Sequence, residues 1–163
     1  DMSDEARRFL RSEVEVRYKE KEKLEDDLKR ACVSVCPDWQ HLDHASISVT
    51  EVRGGITNLL YRLEAGGESR LVRIYGENTE VLIDREQDTA TFAELAQRKF
   101  APWLFGEFAN GRVEQWLPMR ALEPSEMGQR APVDFVRLIA IQLARMHGLD
   151  MPGERKPTLW ETI

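Results

Sequence analysis

The segment that decides the fold runs from Glu51 to Tyr75 and reads EVRGGITNLLYRLEAGGESRLVRIY. Two glycine pairs, Gly54-Gly55 and Gly66-Gly67, divide it into three stretches in which apolar and polar residues alternate. Alternation with a period of two is typical of strands that bury one face, and glycine pairs are typical of the turns between such strands. The segment therefore predicts three consecutive antiparallel β-strands.

The third of these strands carries a charged residue, Arg73, between the apolar residues Val72 and Ile74. A buried charge without a partner costs free energy, so Arg73 needs a carboxylate or a phosphate beside it. Protein-kinase-like folds combine a glycine turn, whose backbone N–H groups approach the phosphates of ATP, with a cation on the third strand that reaches those phosphates. An ordinary antiparallel sheet with a structural arginine would produce the same pattern.

Downstream elements complete a β-β-β-α-β-β order. Asp84 and Gln87 have the spacing of a capping box and predict a helix that runs to about Lys99. A second hairpin is predicted from its two strands and its turn, Trp103–Phe108, Arg112–Leu117 and Asn110-Gly111. The sequence thus predicts an α+β domain, a five-stranded antiparallel sheet with one inserted helix, as in the N-terminal lobe of a protein-kinase-like fold.

Two further helices are predicted outside the sheet. Residues 3–30 have a thin apolar stripe and favourable i,i+4 charge pairs such as Glu15 with Lys19, which predicts one long charged helix that continues to Pro37. Residues 133–147 are apolar nearly all round, which is typical of a helix that is buried.

Composition excludes several classes of function. The net charge of −6 and the pI of about 5.2 argue against a general binder of nucleic acids or acidic membranes, because both need a cationic surface. No apolar run reaches the length of a membrane span, and the N-terminus has no signal-peptide pattern, so we expect a cytoplasmic protein.

The two cysteines raise the question of a metal site. Cys32 and Cys36, followed by His41 and His44, offer four potential zinc ligands. Their spacing is not that of the standard zinc fingers, and Pro37 would break the segment between the two pairs. We therefore predict no metal site and interpret the cysteines as small buried apolar residues.

Six motifs, taken in their order along the chain, resemble the N-terminal half of the choline/ethanolamine kinases over about residues 31–163. They are Arg53-Gly-Gly-Ile-Thr-Asn58, Leu71-Val-Arg-Ile-Tyr-Gly76, Ala101-Pro-Trp-Leu-Phe-Gly106, Gly111-Arg-Val-Glu-Gln-Trp-Leu-Pro118, Leu143-Ala-Arg-Met-His147 and Pro157-Thr-Leu-Trp160. The resemblance implies phosphorylation of the hydroxyl of ethanolamine or choline, the first step towards phosphatidylethanolamine or phosphatidylcholine, with ATP and Mg²⁺ as cofactors. We therefore expect three parts, an N-terminal helical extension (1–44) whose first thirty residues lie outside the resemblance, an ATP-binding lobe (45–120), and a hinge with the start of a truncated second lobe (121–163).

The resemblance implies roles for particular residues. Arg73 would take the place of the strand cation that reaches the phosphates, and Asp88 or Glu86 on the following helix would offer it a carboxylate. The loop over the phosphates would consist of Arg53, Gly54, Gly55, Ile56, Thr57, Asn58 and Leu59, of which Gly55, Ile56 and Thr57 would also approach the phosphorylated product. The adenine pocket would be lined by Gln115, Trp116, Leu117, Pro118, Met119, Arg120 and Ala121.

The catalytic groups of this family lie in motifs like His-x-Asp-x-x-x-x-Asn and Ile-Asp-Phe-Glu, and neither motif occurs in these 163 residues. His147 ends a helix of the buried type and is interpreted as a packed side chain. We therefore predict no catalytic residue, no metal ligand and no kinase activity in this chain alone.

The sequence alone does not decide the substrate or the partner. Residues 73–80 are more like ethanolamine kinases, which we favour slightly, and residues 111–118 are more like choline kinases. Two alternatives are a non-catalytic short form that dimerises with or regulates a full-length kinase, and an aminoglycoside-phosphotransferase-like kinase. A homodimer is compatible with either the first alternative or the parent enzyme.

Overall fold

A computed structural model describes residues 9–53, 58–77, 79–81, 83–127 and 133–151. The chain divides into two compact units, residues 1–116 and 117–163. The strands are β1 (Leu10–Arg11), β2 (Ser48–Val52), β3 (Leu59–Ala65), β4 (Glu68–Ile74), β5 (Leu104–Phe108) and β6 (Gly111–Gln115). The helices are α1 (Lys21–Val35), α2 (Arg85–Gln97) and α3 (Phe135–His147).

The six strands form one sheet in the order β1-β5-β6-β4-β3-β2. β1 is parallel to β5, and all the other pairs are antiparallel. The turn between β3 and β4 places Gly66 and Gly67 at φ of 59° and 81°, in the left-handed region that suits glycine in a two-residue hairpin turn. The α+β class and the five predicted strands are confirmed, and β1 is an additional sixth strand.

The apolar core lies on one face of the sheet, beneath α1. Leu28, Cys32 and Val35 of α1 are buried in one cluster with Val72 of β4 and Val113 of β6. Val72 and Val113 face each other across the strand pair, so the alternation of the strands turns their neighbours to the opposite face. Cys32 and Cys36 are buried free thiols, as the interpretation of them as apolar residues requires.

The prediction of one helix from residue 3 to residue 30 is wrong for residues 9–20, which contain β1 and a turn at Tyr18 and Lys19 and no helix, and residues 1–8 lie outside the described part of the chain. The segment alternates with a period of two, and Val16 is buried. The side chain of Asn110 accepts a hydrogen bond from the N–H of Val16 at 3.0 Å and donates one to its carbonyl at 2.9 Å. Tertiary bonds to the backbone thus override the favourable helical charge pairs.

A buried carboxylate attaches this extended segment to α1. The Nε and Nη2 atoms of Arg17 donate to the two carboxylate oxygens of Asp27 at 2.7 and 2.8 Å, and the backbone N–H of Arg17 donates at 3.1 Å. These bonds outweigh the effect of burial and hold the pKa of Asp27 below its ordinary value.

Gly106 on β5 allows β1 and α1 to approach the same strand. A Cβ atom at this position would lie 2.6 Å from the Cβ atom of Val35 and closer still to the carbonyl oxygen of Leu10. No side chain fits between these two neighbours without displacing one of them.

α3 is confirmed as a helix, and Asp134 caps it by accepting a hydrogen bond from the N–H of Arg137 at 3.0 Å. Its predicted burial is not observed within the described residues of its own unit. Val136 is 52% exposed, Leu138 is 50% exposed and His147 is exposed rather than packed. No helix in the described residues is long and apolar enough to cross a membrane.

We expect Gly106→Ala to lower the free energy of unfolding by about 1–3 kcal/mol, because the new methyl group overpacks the contact with Val35 and Leu10. Urea denaturation followed by circular dichroism measures this change. Gly148→Ala is the matched control, because its Cβ atom would meet nothing closer than 3.5 Å. An equal effect of the two substitutions would contradict the close approach.

We expect Asp27→Asn to destabilise the chain by about 3 kcal/mol at pH 7, because it leaves Arg17 without its carboxylate. The folded-state pKa of Asp27 is depressed, so its contribution is present above about pH 4 and is lost as the pH falls through the folded-state pKa. Denaturation at pH 7 and pH 3 should therefore show a smaller difference between variant and wild type at pH 3. A constant difference would contradict the assignment.

Candidate functional site

The face of the sheet opposite α1 is polar and carries the candidate site. Arg73 of β4 stands directly opposite Arg112 of β6, and Glu114 lies two residues further along β6. All three alternate with the buried valines of the core, so they project away from α1. Helix α2 packs against β5 and supplies a fourth charged group, Asp88.

Arg73 has the partner that its position in an apolar strand requires. Its Nε atom donates to Oε1 of Glu114 at 2.7 Å, and its Nη2 atom lies 3.4 Å from Oε2. The side chain of Glu114 is 2% exposed, whereas that of Arg73 is 24% exposed. The carboxylate is thus buried, and the guanidinium reaches from it towards the surface.

Arg112 shares the same carboxylate. Its Nε atom donates to Oε1 of Glu114 at 2.7 Å, and its Nη1 atom donates to Asp88 at 2.9 Å. Burial alone would raise the pKa of Glu114, yet the hydrogen bond from Arg73 and the charges of both arginines outweigh burial and place this pKa below its ordinary value. Glu114 is therefore a buried anion that separates two cations.

The predicted pair between Asp88 and Arg73 is not formed. Asp88 lies in the first turn of α2 and bonds to Arg112, because β6 lies between this helix and β4 in the sheet order. The carboxylate that accepts the hydrogen bond from Nε of Arg73 belongs to Glu114 on β6. The alternative partner, Glu86, also lies in the first turn of α2. The sequence analysis missed Arg112 and Glu114, although they flank the apolar Val113 just as Arg73 is flanked by apolar residues.

The predicted phosphate loop joins β2 to β3. Arg53 is exposed at the end of β2, and Gly54, Gly55, Ile56 and Thr57 lie outside the described residues. Asn58 accepts a hydrogen bond from the N–H of Gly76 at 3.2 Å. Leu59 pairs with Ile74, so the far end of the loop lies beside the end of β4, next to Arg73.

The predicted adenine segment, residues 115–121, spans both units. In the first unit, the side chain of Gln115 accepts a hydrogen bond from the N–H of Trp103 at 3.2 Å. The ring of Trp116 lies 5.1 Å from the guanidinium of Arg62, within cation–π range. Both residues are therefore engaged at the end of β6.

The second unit begins with Leu117, Pro118, Met119, Arg120 and Ala121. Met119 is exposed, and Arg120 makes two hydrogen bonds to the carboxylate of Glu126, at 2.7 and 2.8 Å. These bonds and one from the backbone N–H of Glu123 lower the pKa of Glu126 to about 2. The Arg120–Glu126 pair was not predicted.

The site offers an exposed guanidinium rather than a metal centre. Within the described residues, the Nη1 atom of Arg73 makes no hydrogen bond, so it is available to an anion. No group of three His, Cys, Asp or Glu side chains in this part of the chain is arranged to hold a metal ion. The arrangement can thus bind a phosphate.

Comparison with known proteins gives one consistent family. The model of the family described as choline/ethanolamine kinase matches residues 49–163. The chain is 37% identical over 137 residues to a probable ethanolamine kinase of Arabidopsis thaliana, covering 81% of this chain and 36% of that protein. It is 35% identical over 148 residues to a choline/ethanolamine kinase of Mus musculus, covering 82% and 37%. It thus spans well under half the length of these relatives.

Two solved structures share the fold. An ethanolamine kinase of Plasmodium vivax matches with a TM-score of 0.68 and 24% identity, over 97% of this chain and 49% of that one. A choline kinase of Cryptosporidium parvum matches with a TM-score of 0.58 and 20% identity, over 87% and 40%. These likenesses confirm the protein-kinase-like fold predicted from the order of the elements.

We expect Glu114→Gln to lower the free energy of unfolding by about 3 kcal/mol, because it leaves two opposed arginines without the charge that separates them. Glu94→Gln is the control, since the Glu94–Arg98 pair on α2 is partly exposed and worth less than about 1 kcal/mol. Urea denaturation compares the two. A cost for Glu114→Gln no larger than that of the control would contradict the central role of the buried carboxylate.

Proposed function

Because the chain belongs to the choline/ethanolamine kinase family, we propose that it is the ATP-binding lobe of a kinase that phosphorylates ethanolamine or choline. The proposal rests chiefly on Arg73, a partly exposed cation held by Glu114 on the open face of the sheet, beside the loop after β2. The reaction would be the first step of phosphatidylethanolamine or phosphatidylcholine synthesis, in the cytoplasm.

In this proposal the phosphates of ATP lie between the loop and β4. Residues 53–59 cover them with backbone N–H groups, and Arg73 contacts them through the edge of its guanidinium that Glu114 leaves open. The bond between Asn58 and Gly76 supports this arrangement, because it attaches the end of the loop to the residues that follow β4. Residues 115–121 line the adenine pocket, and residues 55–57 also approach the phosphorylated product.

ATP supplies the phosphoryl group, and Mg²⁺ neutralises its charge during transfer. We assign the ligands of this ion and the catalytic base to sequence outside these 163 residues. The absence from the sequence of the two catalytic motifs of the family supports this assignment. We accordingly propose that the 163-residue chain alone does not turn over substrate.

We propose domain boundaries near residues 45 and 120, with the lobe between them and a second lobe that begins in residues 121–163. The division of the chain after Trp116 supports the second boundary, and the beginning of β2 at Ser48 supports the first. The extended segment and α1 then form a layer that covers the apolar face of this lobe.

A second candidate is a non-catalytic form that pairs with a full-length kinase or with another copy of this chain. The observation that favours it is the row of apolar side chains on α3 that the second unit leaves exposed. Light scattering tests it, because this candidate requires a dimer or a larger species. A monodisperse monomer would contradict it.

We expect ATP to shift the amide NMR signals of Arg73 and residues 53–59 in the 163-residue chain, and we expect Arg73→Ala to remove these shifts, because Arg73 supplies the charge that meets the phosphates. An NMR titration with millimolar Mg-ATP measures both. Phosphorylation assays with ethanolamine and with choline should show no turnover by the chain alone.

The control is Arg98→Ala, which removes an equal charge at the far end of α2. It should leave the titration unchanged. Equal binding by the Arg73 variant, or no response of the folded wild-type chain, would contradict the ATP site. Turnover by the wild-type chain would contradict the assignment of the catalytic groups to sequence outside it.

A further inference from the structure

Two residues of helix α2 contact one side chain of the sheet, that of Arg112. Asp88 accepts a hydrogen bond from Nη1 of Arg112 at 2.9 Å, and the guanidinium lies 4.2 Å from the centre of the Phe92 ring. Asp88 and Phe92 are one helical turn apart, so both face the same arginine. A third contact, from Thr89 to Glu107 on β5, fixes the helix beside it. The position of the Arg112 guanidinium therefore depends on the position of α2.

The guanidinium of Arg112 is in turn connected to Arg73. Both arginines donate from Nε to the same oxygen of Glu114, each at 2.7 Å. The two cations stand opposite each other in the strand register and would repel one another without this carboxylate. A movement of Arg112 thus changes both the position of Glu114 and the electrostatic field at Arg73.

We propose that Arg112 and Glu114 are positioning residues that hold the guanidinium of Arg73 and connect its orientation to helix α2 through Asp88. The proposal deepens the proposed function and rests on it, since Arg73 is there the residue that meets the phosphates of ATP. The connection runs through three charge-assisted hydrogen bonds of 2.9 Å or less, among side chains that are mostly buried.

The connection acts in both directions. A phosphate that binds Arg73 competes with Glu114 for the same guanidinium. Its binding therefore changes the strength of the Glu114–Arg112 bond and, through Arg112, the strength of the bond to Asp88. Because coupling between two sites is reciprocal, loss of the Asp88–Arg112 bond must change phosphate binding by the same factor by which phosphate changes the strength of that bond.

The test uses Asp88→Asn, because Asp88 is 41% exposed and its removal leaves the buried Glu114 in place. We expect this substitution to shift the side-chain Nε–Hε NMR signal of Arg73, to which the hydrogen bonds of this network connect Asp88 through Arg112 and Glu114. We also expect the affinity for ATP to rise about 3- to 10-fold, because Arg112 without Asp88 takes a larger share of Glu114 and leaves more of the Arg73 charge to the phosphates. Arg73→Ala identifies the signal by its disappearance.

Two comparisons separate positioning from a general structural effect. Glu94→Gln, on the same helix, should leave the Arg73 signal and the ATP affinity unchanged. In the Arg73→Ala background, the response to ATP should be absent with or without Asp88→Asn, because the effect of Asp88 passes through Arg73. An unchanged Arg73 signal, or an ATP response that Asp88→Asn still alters in the absence of Arg73, would overturn the proposal.

The two proposals fail differently. If the wild-type chain does not bind ATP, the proposed function fails. The Arg73 signal still decides the connection to α2 in that case, since it is measured without nucleotide: a shift on Asp88→Asn supports the connection, and no shift overturns it.

Discussion

A single buried carboxylate, that of Glu114, determines the polar character of one face of this sheet. Two arginines project from adjacent strands at directly opposed positions, and no other charge lies between them on the strands. The cost of burying Glu114 is offset because both arginines donate to it, and its pKa stays low in consequence. If apolar side chains covered this face, the charges of Arg73, Arg112 and Glu114 would be fully buried. The face therefore remains polar and partly open.

The apolar contacts that stabilise this part of the chain lie on the opposite face of the sheet. α1 packs there on the valines that alternate with the charged residues, and Gly106 allows α1 and β1 to approach β5 together. The extended N-terminal segment is fixed to this layer by the Arg17–Asp27 bonds and by Asn110 in the β5–β6 turn. Because the apolar contacts are concentrated on this side, the polar side can keep an arrangement that serves binding rather than packing.

The sequence pattern predicted those parts of the fold that depend on residues close together in the chain. The glycine turns and the period-two strands were predicted, and the Asp84 cap of α2 accepts from the N–H of Gln87 as expected. Residues 9–20 were predicted wrongly because their charges also fit helical spacing, and the bonds that extend them come from Asn110, far along the chain. The partner of Arg73 depends on strand register, which pairs β4 with β6 across an inserted helix, and sequence spacing carries no measure of that register.

The identity of residue 73 as arginine follows from these constraints. A guanidinium is a planar fork whose edges can face a carboxylate and a phosphate at the same time, whereas an ammonium is a compact point charge that either partner would draw to itself. With Nε and Nη2 turned to Glu114, the remaining Nη1 edge keeps a fixed direction towards the open face. The affinity of that edge for an anion then depends on how firmly Arg112 holds Glu114, and so on the helix that holds Arg112. The site therefore depends on two cations, since Arg112 sets how much of the shared carboxylate Arg73 faces.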